Sequence, residues 1–199
     1  ESTLFNLLKY LKKNRKFDFI IVTLTNNVFL KKKFEDLGIK VVVLKMNKNF
    51  IFGFYKLIKL HRNFKPTLIQ SWLHHSDFIA ILLSFITRNK NLIWTIRCGK
   101  LDKKFISYKN ILLVNILRYV SFRPKAIIYN SFSAFNEHKK IGYYSKFHEI
   151  IHNGFDHKEY KSNKIFKNNF KKKFFIKKNV KVIGFISRLL APFFIRMFI

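Results

Sequence analysis

Apolar residues recur at two spacings along this 199-residue chain. Leu4, Leu7, Leu8 and Leu11 share one helical face, with Lys9, Lys12 and Lys13 opposite, so residues 1–13 predict an amphipathic helix. Residues 19–24 are a β-branched apolar run of strand length. A second amphipathic helix is predicted over 28–37 and stops at Gly38, which suits the left-handed position after a helix. Further along, strands are predicted over 41–44, 68–71, 92–96, 126–129 and 149–151. Helices are predicted between them over 54–64 (ending before Pro66), 78–87, 111–121 and 133–141.

Short apolar strands in strict alternation with helices imply a parallel sheet with right-handed crossovers. The predicted class is therefore α/β, a Rossmann-like sheet with helices on both faces. After Asp156 the texture changes, because 158–178 is rich in lysine and asparagine with scattered phenylalanines. The expected organisation is a first domain over 1–156, a linker and surface helix over 157–179, and the start of a second domain over 180–199. The second domain would open on a strand at 181–186 followed by Ser187 and Arg188. The tail from 189 to 199 is apolar and aromatic without a clean period.

Composition narrows the class. Hydrophobic content of 49% is ample for a core, and the longest apolar runs are about half of the roughly 20 residues a membrane-spanning helix needs. A single cysteine, Cys98, excludes an internal disulfide framework and a cysteine-rich zinc site, and suits a reducing cytoplasm. The chain opens on Glu1 in mid-pattern, so its first strand is expected to lie upstream. Forty Lys+Arg against ten Asp+Glu give a formal charge of +30. That is enough to attract nucleic acid or an anionic membrane. The lysines are scattered through every segment, however, and the chain is equally rich in Asn, Ile and Phe, which favours compositional drift. Attraction to anionic lipid headgroups is an expected secondary consequence.

The chemistry collects after the strands. His74, His75 and Asp77 follow one strand; Arg97, Cys98 and Gly99 the next; Asn130 and Ser131 a third; His152, Asn153, Gly154 and Asp156 a fourth. All lie at the carboxyl ends of parallel strands, where open α/β sheets bind ligands. Each has a plainer role available. Ser76 and Asp77 read first as caps of the helix from 78, whereas His75 reads first as a ligand contact. Asn130-Ser131 divides evenly between cap and anion site. Asn153-Gly154 is first a turn using positive φ and then a hinge. Trp72 and Trp94 read first as packing residues. The chain carries no Gly-x-Gly-x-x-Gly or Walker loop, no helical His-x-x-x-His pair and no nucleophile elbow.

Several blocks then match one family in order. Ser71-Trp72-Leu73-His74-His75-Ser76-Asp77 resembles a Trp-x-x-His-x-Asp segment, with His75 on the motif histidine. Leu92 to Arg97 is similar to a Trp-x-Ile-Arg strand end. Ser131 with His138, Gly142 and Tyr143 resembles a Ser…His…Gly-Tyr helix, and Asn153-Gly154-Phe155-Asp156 an interdomain turn. Glu1-Ser2-Thr3-Leu4 resembles the end of a Gly-Gly-x-Glu loop, and Ile183 to Arg188 the first strand of a donor domain. Together they resemble the N-terminal, acceptor-side half of glycosyltransferase family 4, retaining enzymes of GT-B fold, in its bacterial surface-polysaccharide branch.

The resemblance implies transfer of a sugar from a nucleotide-sugar to a glycan or lipid-linked acceptor, with no cofactor and no metal. His75 would be catalytic. Glu1, Trp72, Asp77, Arg97, Asn130, Ser131 and His138 would bind substrate, and Arg188 would face the donor diphosphate. Asn153, Gly154 and Asp156 would form the hinge. It also implies that the first strand and most of the donor domain lie outside this sequence, including paired glutamates seven residues apart. Residues 1–199 alone are then expected to be inactive. The expected location is the cytoplasm, peripheral to the inner face of the cell membrane, where basic helices such as 9–13 and 54–64 would rest. The competing readings are a basic nucleic-acid-binding α/β protein, for which no recognition motif is present, and an inactive remnant with an exposed strand edge.

Overall fold

The computed structural model describes residues 2–13, 17–26, 28–99, 101, 107–154, 163–177 and 179–182. Helices and strands alternate as the pattern predicts: α1 (Ser2–Lys13), β1 (Ile20–Thr23), α2 (Lys31–Asp36), β2 (Lys40–Val43), α3 (Phe50–Phe64), β3 (Ile69–Trp72), α4 (His74–Thr87), β4 (Leu92–Ile96), α5 (Tyr108–Val120), β5 (Ala126–Tyr129), α6 (Phe132–Lys140), β6 (Phe147–Ile150) and α7 (Lys164–Lys173). The chain divides into two compact units, Glu1–Gly154 and Phe155–Ile199. Within the second, α7 is capped by Asn163, whose side chain accepts from the Ile165 and Phe166 amides, and Lys171 Nζ donates to the Val180 carbonyl at 2.6 Å. Of the strand expected over 181–186, residues 181 and 182 are described and are not in a strand, while 183–186, with Glu1, Asp156 and Arg188, fall on positions outside the described ones.

All strand pairs are parallel, but they form two sheets rather than one. β1 and β2 pair with Ile21 opposite Val41 and Val22 opposite Val42. In a strand, successive side chains take opposite faces. Accordingly Ile21 and Val41 pack with Leu8 of α1 and Phe34 of α2, while Val22 and Val42 pack with Leu57 of α3 and Ile79 and Leu83 of α4. Helices therefore cover both faces of this pair. β3, β4, β5 and β6 form the second sheet in sequence order. Leu92, Trp94, Ile96, Ile127 and Tyr129 turn one face of it onto Ala80 and Ile81 of α4, Val114 and Leu117 of α5 and Ala134 of α6.

Two glycines set this geometry. Gly38 ends α2 in the left-handed region at φ +71, as its position in the sequence requires, and its amide donates to the Glu35 carbonyl at 2.8 Å. Gly53 lets the first turn of α3 press against the end of β2. A Cβ there would stand 2.7 Å from Met46 Cγ and 3.0 Å from the Leu44 carbonyl oxygen. Alanine is the better helix former by about 1 kcal/mol, but the carbonyl cannot swing aside as a methionine side chain can. Gly53→Ala is therefore expected to lose about 1–3 kcal/mol, read as a fall in the urea midpoint at unchanged slope. Unchanged or raised stability would show that β2 and α3 are not in this contact.

Candidate active site

The strand ends meet as the topology demands, since four parallel neighbours finish on one edge. At its centre is Arg97, immediately after β4. Its Nη2 donates to Asn153 Oδ1 at 2.9 Å and to Thr3 Oγ1 at 3.1 Å, and its guanidinium lies 5.1 Å from the centre of the Trp72 ring. One side chain thus joins α1, the end of β3 and the turn after β6. Burial pulls the Arg97 pKa down from its ordinary value, and a guanidinium is basic enough to stay charged across the physiological range. Thr3, two residues after Glu1, brings the N-terminal helix to this edge.

Below the rim lies a buried polar cluster. Ser71 Oγ donates to Asp77 Oδ1 at 2.5 Å, and His74 Nδ1 stands 3.7 Å from Asp77 Oδ2. The His74 ring lies 5.2 Å from that of His138, which packs in turn against Tyr143 at 4.8 Å and Tyr129 at 6.0 Å. His138 Nδ1 donates to the Ala134 carbonyl at 2.8 Å, which fixes the tautomer and leaves Nε2 as a buried acceptor with no hydrogen-bond partner.

These groups shift one another. Burial disfavours a charged His74, but the Asp77 carboxylate and Cys98 outweigh it and raise its pKa to about 9. Burial pushes the Asp77 carboxyl up, against the neighbouring His74 ring and the Ser71 hydrogen bond that hold it down. The pair titrates as a unit that keeps its last proton well above neutrality. Burial, reinforced by the His74 charge and only partly offset by the Ala134 bond, lowers His138 to about 4. At pH 7 the cluster therefore holds a charged His74 beside a neutral His138.

The expected caps divide. Ser131 is the N-cap of α6, its hydroxyl accepting from the Ala134 amide at 3.1 Å. Ser76 and Asp77 are not caps, because α4 begins at His74 and places both inside its first turn. Its N-cap is Leu73, which makes no side-chain cap and takes φ 75, ψ 151, a conformation costing a non-glycine residue about 1–3 kcal/mol. That strained corner turns His74 inward to Asp77 and leaves His75 exposed on the same turn. Asp77 and His138 are wholly buried beneath the rim, as is Trp94, whereas Trp72 is half-buried under Arg97. Asn130 Oδ1 is a buried acceptor without a partner, and the Asn130 carbonyl accepts from His152 Nδ1 at 3.3 Å. Gly154 is not among the described glycines at positive φ, which are Gly38 and Gly142, so the turn there does not depend on that freedom. Among the described residues no group of three His, Cys, Asp or Glu is placed to hold a metal ion.

The sequence placed His74 among the residues after β3 but gave the role to its neighbour His75, and gave none to Ser71 or Tyr129. A signal for His74 was present, since it precedes Asp77 by three residues, but that spacing has meaning only once the helix is known to start at His74.

Residues 1–159 match Glycosyltransferase Family 4. The chain belongs to that family. Two solved structures of the Anabaena protein Alr3699/HepE share its fold, one described in complex with UDP and glucose (TM-score 0.67, 17% identity) and one in complex with UDP-glucose (TM-score 0.69, 18% identity). Each match covers 86% of this chain and 45% of the HepE chain, so the family 4 chain spans less than half the length of those structures. No curated protein matches it in sequence. Within family 4 the rim around Arg97 offers a fixed positive charge and an aromatic face at the ligand-binding edge of the sheet. Such a group can stabilise charge that develops on a bound anion without rearranging during the reaction. Arg97→Lys keeps the charge but loses the planar fork, so it cannot hold Thr3, Asn153 and the Trp72 ring together. It is expected to cost about 1–2 kcal/mol in urea unfolding. A cost within error would mean that these contacts do not persist in solution.

Proposed function

We propose that this chain forms the acceptor side of a retaining glycosyltransferase, which moves a sugar from a nucleotide-sugar to a glycan or lipid-linked acceptor in cell-surface polysaccharide synthesis. The observation that carries this reading is the meeting of Trp72, Arg97 and Asn153 on one strand edge, above the buried His74–Asp77 pair, in a family 4 fold. The UDP-glucose of the HepE structures supports a nucleotide-sugar donor. His75 is exposed at the mouth of the same turn, where it is available to an acceptor hydroxyl, while Asp77 and His138 act from behind by holding the helix that presents it. Ser131 and the first turn of α6 offer amides to an anionic group. Asn153 and Gly154 close the first unit and form the hinge. No metal is needed on this reading, because Arg97 and, by resemblance, Arg188 supply the positive charge that the leaving diphosphate requires. The protein works in the cytoplasm, peripheral to the inner face of the membrane, and residues 1–199 alone turn over no donor.

The test is a panel of radiolabelled nucleotide-sugars offered to the protein carrying both halves, with membrane extracts supplying acceptors. Transfer or slow hydrolysis of at least one donor is expected, with the anomeric configuration of the donor kept in the product. Arg97→Ala should lower kcat/KM by about tenfold to a hundredfold. Turnover of no donor, or inversion at the anomeric carbon, would overturn the reading.

A further inference from the structure

An open groove of about 690 Å3 runs along β2 beside α3, away from the strand ends. Its wall carries Lys31, Lys40, Lys45, Lys56 and Lys59, all exposed, and no carboxylate. Glu35 partners Lys31 at 3.6 Å from outside the wall, and Lys56 Nζ donates to the Val43 carbonyl at 3.3 Å. Lysines along an edge strand also serve to prevent strand pairing between molecules. That role does not account for the apolar side chains set beside them. Phe29, next to Val28 of the groove wall, is 90% exposed, and the first two turns of α3 leave Ile51 82%, Phe52 64% and Tyr55 62% exposed. Gly53 pins that turn against β2 and Asn49 caps it, its Oδ1 accepting from the Phe52 amide at 2.9 Å, so the aromatic tip is held in position.

We propose that this groove and the tip of α3 together form a docking surface for an anionic lipid bilayer, with the lysines on phosphate headgroups and Ile51, Phe52 and Tyr55 entering the headgroup–acyl boundary. Charge attracts the surface and apolar burial anchors to it, the two components of interfacial binding. The proposal deepens the peripheral location in the reading above and rests on it only for the identity of the surface. Its test needs no sugar donor, so vesicle binding and transferase activity can fail separately.

The residue 1–199 chain is sedimented with vesicles of phosphatidylcholine alone or mixed with phosphatidylglycerol. Binding to the mixed vesicles only is expected. With a net charge of +30, diffuse attraction is the rival, and position separates the two. Lys45→Gln with Lys59→Gln should weaken binding by about twentyfold, at roughly fivefold per lysine near the surface. Lys139→Gln with Lys140→Gln on α6 should change it by less than about threefold, since charges beyond a screening length contribute little. Ile51→Ser with Phe52→Ser, at exposed positions that the fold does not need, should weaken it by about tenfold or more. A tryptophan at position 52 (Phe52→Trp) should be quenched by brominated acyl chains beyond the level set by Trp72 and Trp94. Equal losses from the two lysine pairs, or no added quenching at position 52, would overturn the proposal. So would binding of a single-stranded RNA that needs Lys45 and Lys59 while mixed vesicles are ignored.

Discussion

Asp77→Ala is expected to cost about 3–5 kcal/mol, because it breaks a buried ion pair. Asp77 is wholly buried, accepts from the Ser71 hydroxyl at 2.5 Å and faces the His74 ring as an ion pair at 3.7 Å. Removing the carboxylate leaves the buried Ser71 hydroxyl without its acceptor, opens a void beside it and drives the proton off His74. Asp77→Asn separates these effects. An amide oxygen still accepts from Ser71, and His74 escapes the unpaired charge by losing its proton, so the expected cost falls to about 1–2 kcal/mol. Adding His74→Asn to Asp77→Asn should then cost much less than it does in the parent chain, since residues in one buried pair do not act additively. Urea unfolding of the four proteins measures this. If His74→Asn costs the same in both backgrounds, the two side chains are not coupled and the cluster is ordinary packing. Because the first turn of α4 also carries His75 at the rim, the variants that loosen this pair should lower transfer by the protein carrying both halves even where they fold.

The particular residues show what the sequence exposes and what it hides. Strand–helix alternation is local, set by apolar spacing, and β4 and β5 fall on the predicted residues. The gathering of Trp72, Arg97 and Asn153 was also legible, because parallel strands must end on one edge whatever their order. The start of α4 was not. A helix opened by Leu73 in a strained conformation, with no capping side chain, gives no local sign of itself. The contact that fixes it is the Ser71–Asp77 bond across the corner. The expectation that Ser76 and Asp77 cap this helix follows from a helix begun four residues late, which also left the buried His74 without a role. The first turn of α3 was missed for a different reason. Gly53 lowers helix propensity, while the contact that requires a glycine there lies on another element, at Leu44 and Met46. Whether the strands formed one sheet or two was beyond local pattern altogether, since pairing partners are not written in either strand.

Stability of the first unit is expected to peak near pH 6.5 and to fall on both sides, with the two buried histidines responsible for opposite limbs. His74 is raised to about 9 in the folded chain from an ordinary 6.5. Its contribution is fully present below pH 6.5 and is lost as pH rises through about 9, up to about 3 kcal/mol, because the folded state then holds a proton that the unfolded state has released. His138 is lowered to about 4. Its contribution is present above pH 6.5 and is lost as pH falls toward about 4, again up to about 3 kcal/mol, because the unfolded chain gains a proton that the buried ring refuses. The limbs can be assigned. His74→Asn should flatten the alkaline limb, and should also make the acid limb shallower, since part of the His138 shift comes from the His74 charge. His138→Asn keeps a donor toward the Ala134 carbonyl and should flatten the acid limb alone. Urea midpoints measured from pH 4.5 to 9 on the three proteins make the comparison, and a profile that neither substitution changes would place the pH dependence elsewhere in the chain. The same titration bears on function. On the transferase reading proposed above, the His74–Asp77 pair keeps its proton beneath the rim across the physiological range, and the pH at which transfer fails on the alkaline side should follow the loss of that proton.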